Sequence, residues 1–113
     1  MSAMTLENSM LREMVEVVVR EADPEKIILF GFHARGSAKV GSDVDLIIVE
    51  REPFSPQRSR RKETFRLGMA LARFPFAKDL LLYSRDEYER WKTSENHVIG
   101  KASREGKLLH GRF

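Results

Sequence analysis

The chain contains no cysteine, which excludes a disulfide framework and any thiolate-held metal. Its histidines, at positions 33, 97 and 110, are scattered and lack the spacing of a zinc motif. A metal, if one binds, must therefore be held by oxygen ligands. Long apolar runs are missing as well: the longest reach only about half a membrane span. No basic segment leads into an apolar stretch at the amino terminus. Neither a transmembrane helix nor a signal peptide is expected, and the reading is cytoplasmic. Charge of one sign is not strongly in excess: 20 Lys and Arg against 17 Asp and Glu leave a net +3, which decides little about partners. Low-complexity tracts, repeats and linkers are absent. What is there, 113 residues with 42% hydrophobic and 33% charged side chains, is the composition of one globular domain over residues 1–113.

Apolar Leu6, Met10, Met14, Val17 and Val18 recur every three or four residues and predict a helix over Thr5 to Ala22, ended by Asp23-Pro24. Lys26 to Phe30 reads as an inner strand, apolar on both faces, broken by Gly31. A short helix start at Phe32-His33-Ala34-Arg35-Gly36 leads to a second strand, Asp43 to Val49. Ser55 with Pro56 suggests the cap and first turn of a helix running to about Phe74, its packing face drawn from Phe65, Leu67, Met69, Leu71 and Phe74. Asp79 to Tyr83 makes a third strand, and Ser84 with Glu87 has capping-box spacing for a helix from Arg85. A last helix from about Ser94 to Gly106 and an edge strand at Lys107 to His110 complete the chain. The fold class is α/β, a small mixed sheet of three or four strands covered by helices; the order of the strands does not follow from this pattern.

Asp43 and Asp45 lie two apart on a predicted strand, so both carboxylates leave one face and can converge on a small volume. Such a pair either caps a turn or binds a hard divalent cation such as Mg²⁺, which takes carboxylate oxygens and leaves ligand positions for phosphates. Upstream, a helix start after Gly31 offers free amides and a side-chain-free approach for phosphate, with Arg35 as added charge. Asp79, at the head of an apolar strand, faces solvent, a partner charge or a metal. The basic run Arg58, Arg60, Arg61, Lys62 and Arg66 is either a solvated helix face or a meeting point for phosphates, nucleic acid or an acidic protein. Its single aromatic neighbour, Phe65, reads as core, so a base-stacking nucleic-acid binder is not expected. Tyr83, Tyr88 and Trp91 suit packing, base stacking or a partner equally.

Gly31-Phe32, then Asp43-Val44-Asp45 before an aliphatic strand, resembles the signature of the DNA polymerase beta nucleotidyltransferase superfamily. The string G-F-H-A-R-G-S-A-K-V-G-S-D-V-D-L-I-I-V, continued by F-A-K-D-L-L-L-Y-S-R-D-E-Y and R-E-G-K-L-L-H, is similar to the minimal nucleotidyltransferases over nearly the whole chain. The resemblance implies two Mg²⁺ ions held by Asp43, Asp45 and Asp79, which are then the catalytic residues. It also implies nucleotide contacts from Gly31, Phe32, Arg35, Gly36 and Ser42, and transfer of a nucleoside monophosphate, AMP from ATP, to a hydroxyl. In the family the acceptor can be a tyrosine of a helical HEPN partner, with the transferase as antitoxin. Self-association is left open. One departure stands out: the family usually has serine where this chain has Phe32. Loss of one hydrogen bond to a charged phosphate costs about 1.5–3 kcal/mol, so weakened transfer, or a role purely as a binding partner, is the alternative expectation.

Overall fold

The computed structural model describes residues 8–31 and 44–113. In chain order these form α1 (Asn8–Ala22), β1 (Lys26–Phe30), β2 (Val44–Glu50), α2 (Arg60–Ala70), β3 (Lys78–Ser84), α3 (Arg85–Trp91), α4 (Val98–Glu105) and β4 (Lys107–His110). The expected short helix after β1 and the first residues of the expected first helix lie outside the described residues. The sheet has four strands in the order β3-β2-β1-β4. β1 runs antiparallel to β2 and β4, while β2 and β3 are parallel. The α/β class and the mixed sheet of the sequence reading are therefore observed.

Alternation along the strands sorts side chains to two apolar layers. Val44, Leu46 and Ile48 join Ile27, Leu29 and Leu82 beneath Leu11, Met14, Val17 and Val18 of α1 and Leu67 of α2. Ile47 and Val49 point the other way, to Ile28, Tyr88 of α3 and Ile99 and Ala102 of α4. A one-residue slip of β2 would exchange these sets and drive Asp45 into the α1/α2 layer. Each buried aliphatic side chain is worth about 1.5–3 kcal/mol over exposure, so the register is firmly set.

Two helix starts differ from expectation. Ser55 does not cap α2: Ser55 and Arg58 exchange backbone hydrogen bonds at 3.0 Å and close a tight turn. The cap is Ser59, whose Oγ accepts from Lys62 N at 3.2 Å. The helix also ends at Ala70, its last carbonyls taken by i→i+3 bonds from Leu71 and Ala72. α4 begins at Val98 rather than near Ser94, because Ser94 Oγ accepts from Asn96 and His97 in a turn, and His97 Nδ1 accepts from Ile99 N as the true cap. The α3 capping box of Ser84 and Glu87 is formed as expected.

The basic run is largely committed to structure. Arg60 grips Glu87 with both nitrogens at 2.9 and 2.7 Å. Arg66 binds Glu63 and Glu21, and Arg58 binds the buried Glu50 at 2.5 Å. Burial, reinforced by the neighbouring Glu63 carboxyl, raises the pKa of Glu50 to about 7 against the pull of Arg58, whereas Glu63 is lowered by its bond from Arg66. The opposed directions favour the proton on Glu50 rather than on Glu63 in mildly acidic solution. Glu50 Oε2 and Arg58 Nη1 are buried without a hydrogen-bond partner among the described residues, and a protonated Glu50 carboxyl can donate where an ionised one cannot.

Candidate active site

β2 and β3 start side by side. Val44 N donates to Ala77 O at 2.8 Å, and the Lys78 ammonium donates to Phe74 O and Phe76 O, which ties down the turn before β3. In this register Asp45 is the direct partner of Asp79, and on its other side of Phe30. Parallel partners share a face, so the two carboxylates sit side by side on the α3/α4 face, at the end where β1 finishes and β2 and β3 begin. Asp45 is half-buried and Asp79 exposed.

Gly31 closes this corner. Its φ of +83° lies in the left-handed region, and a Cβ there would stand 2.7 Å from Asp45 Oδ2. A bare Cα thus lets the end of β1 lie directly against the Asp45 carboxylate. Gly31→Ala combines backbone strain of about 1–2 kcal/mol with that collision. The expected result is a lower melting temperature together with loss of whatever Asp45 does; thermal denaturation followed by a ligand titration checks both. Beside Gly31 a cleft of about 160 Å³ is lined by Phe30, Val98, Lys101, Ala102 and Glu105. Lys101 is a cation the sequence reading passed over. Its exposed helical setting carries no signal of its own, and only the return of α4 against β1 brings it to the glycine.

Of the residues expected to act, the structure brings together Asp45, Asp79 and Gly31. Asp43, Phe32, Arg35, Gly36 and Ser42 lie outside the described residues, as does His33. Among the described residues no group of three acidic or imidazole side chains converges; the pair of Asp45 and Asp79 offers hard oxygen donors on one face, which fits a divalent cation as part of its ligand set. Two of the aromatic residues, Tyr88 and Trp91, make contacts within the fold. Tyr88 is buried with its hydroxyl 3.3 Å from Ser103 Oγ, and Trp91 stacks on His97 at 4.7 Å.

Residues 11–99 of the chain match the nucleotidyltransferase domain family. The chain belongs to this nucleotidyltransferase family. Solved structures agree in fold. A Sulfolobus solfataricus protein assigned to the nucleotidyltransferases is 21% identical, with a TM-score of 0.55 over 92% of this chain and 79% of its own. A toxin–antitoxin structure with AMP-PNP is 21% identical, TM-score 0.54, over 89% and 73%. A mutant of the toxin–antitoxin pair MntA–HpeT is 19% identical, TM-score 0.54, over 96% and 75%. A search of curated proteins finds no significant match. No helix among the described residues is long and apolar enough to cross a membrane.

Proposed function

We propose that this nucleotidyltransferase moves a nucleoside monophosphate, AMP from ATP, to a hydroxyl acceptor in the cytoplasm, the acceptor being a tyrosine of a helical HEPN-type partner for which the chain is the antitoxin. The observation that carries the reading is the pairing of Asp45 with Asp79 across β2 and β3, against Gly31. Asp43, Asp45 and Asp79 would hold Mg²⁺, two ions by the family pattern. Bound there, Mg²⁺ supplies neutralisation of the triphosphate charge and a lowered proton affinity of the acceptor hydroxyl.

Asp45, half-buried, is the residue best placed to keep a fixed position. Asp79, exposed at the strand head, would be the carboxylate open to an incoming hydroxyl and would accept its proton. The acceptor oxygen then attacks the α-phosphorus and pyrophosphate leaves. Gly31 and Gly36, with Arg35 and Ser42, would receive the phosphates, and Lys101 adds a cation at the cleft beside Gly31. Phe32 donates no hydrogen bond, so weaker nucleotide binding than a serine would give is part of this reading. The toxin–antitoxin neighbours, one of them with AMP-PNP, support a nucleotide and a protein partner for this chain too.

Isothermal titration of ATP into the protein with Mg²⁺, repeated on the Asp43→Asn, Asp45→Asn double variant, tests the site. Metal-dependent binding that vanishes in the variant is expected. No binding by the folded native protein at millimolar ATP would move the reading to a partner-binding protein without transfer.

A further inference from the structure

Helix α2 carries apolar residues on two opposite sides. Leu67 faces the sheet and is fully buried, as is Leu71, with Phe74 after it buried too. Phe65 and Met69, expected from the sequence to pack inside, stand 69% and 61% exposed. The reason is helical geometry: Phe65, Leu67, Met69 and Leu71 alternate by two, which on a helix sends successive members to opposite sides. Phe65, Gly68 and Met69 therefore form one outward stripe at i, i+3, i+4.

Two further observations point to an occupant. Gly68 is in the helix interior, where glycine is less stable than alanine, yet a Cβ there would meet nothing within 4 Å. Packing among the described residues does not require a glycine; close approach by another backbone would. The stripe also has a positive margin. Arg61, one turn before Phe65, and Lys62 are exposed and, among the described residues, make no ion pair or hydrogen bond through their side chains, in contrast to Arg58, Arg60 and Arg66. The one carboxylate of α2, Glu63, is already bonded to Arg66. A second copy of the chain would thus bring another positive margin with no free acid on α2 to meet it.

We propose that the Phe65–Gly68–Met69 stripe is a docking surface for a protein partner that presents an apolar groove bordered by carboxylates. The α1/α2 layer lies across the sheet from Asp45 and Asp79, so a partner seated here leaves the carboxylate row open. The inference does not rest on the proposed transfer reaction, and ATP titration of each variant separates the two. Helix-in-groove recognition concentrates affinity in a few apolar anchors, while bordering charges set rate and choice of partner.

The test isolates the tagged full chain from its native cells, identifies the retained protein, and titrates that protein, purified, against the chain. Expected is binding that falls at least about tenfold for Phe65→Ser with Met69→Ser. The same fall is expected for Gly68→Leu. For Arg61→Glu with Lys62→Glu, a similar loss should be joined by a flattened salt dependence. Melting temperature and ATP titration should stay as in the native protein. Any of four results overturns the proposal: no protein is retained; the purified partner binds native chain and variants alike; sedimentation shows the chain pairing with itself through the stripe; or the chain binds anionic phospholipid vesicles through it and no protein.

Discussion

Asp45→Asn should lower nucleotidyl transfer by roughly 10²–10³-fold, the scale of removing one group aimed at charge that develops in a transition state. Asparagine keeps the shape and removes the charge, so the strand register and the contact with Gly31 should survive. Asp79→Asn should act in the same direction. A control is available in Asp86, exposed in the first turn of α3, where a substitution away from any such feature should change stability by no more than about 0.5 kcal/mol and leave turnover unchanged. The measurement is release of pyrophosphate with the identified acceptor, alongside circular dichroism. Native turnover in a well-folded Asp45→Asn protein would remove this carboxylate from the mechanism. The site would then have to lie elsewhere on the nucleotidyltransferase fold.

The second large effect concerns the far end of β2, where Glu50 is buried against Arg58. Its pKa is raised from 4.5 to about 7 in the folded protein, chiefly by burial. Between those values the native state holds a proton that the unfolded chain has released. The stabilisation is therefore complete below about pH 4.5 and is lost as pH rises through 7. Glu63 shifts the opposite way, and its contribution, present above the ordinary carboxylate pKa, is lost as pH falls from there through its lowered pKa, a separate and more acidic window. Native stability should fall by roughly 2–3 kcal/mol from pH 5 to pH 8. Glu50→Gln, which keeps an acceptor for Arg58 and has no proton to lose, should be nearly flat over that range. Arg58→Met should be worse at pH 8, by about 3–5 kcal/mol for a buried charge left alone, and milder at pH 5, where Glu50 is protonated. Urea unfolding across the pH series reads all three proteins. Parallel native and Glu50→Gln profiles would show that Glu50 titrates normally.

Local signals carried far. β1 occupies Lys26–Phe30, α3 starts at Arg85 behind its Ser84/Glu87 box, and β4 is the edge strand Lys107–His110, each as its residues indicated. These depend on dihedral preference, a cap or a break within a few residues. The failures were local signals of similar strength in competition. Ser55-Pro56 is as good a helix start as Ser59, and the contest was decided by the tight turn of residues 55–58 and by Phe54, which lies under the Arg58 and Arg60 guanidiniums at 4.5 and 4.8 Å.

Sequence by itself determined the alternation of helix and strand, the acid residues heading β2 and β3, the glycine after β1, and through them the family. It did not determine which strands are neighbours. Only the tertiary structure set β3 parallel beside β2 and paired Asp79 with Asp45, because pairing depends on how the α2 crossover packs over the sheet rather than on any property of either strand alone. Only the tertiary structure, too, separated buried Leu67 from exposed Phe65 on one helix and brought Lys101 to Gly31. Hydrophobic character is a property of a residue; burial is a property of what folds against it.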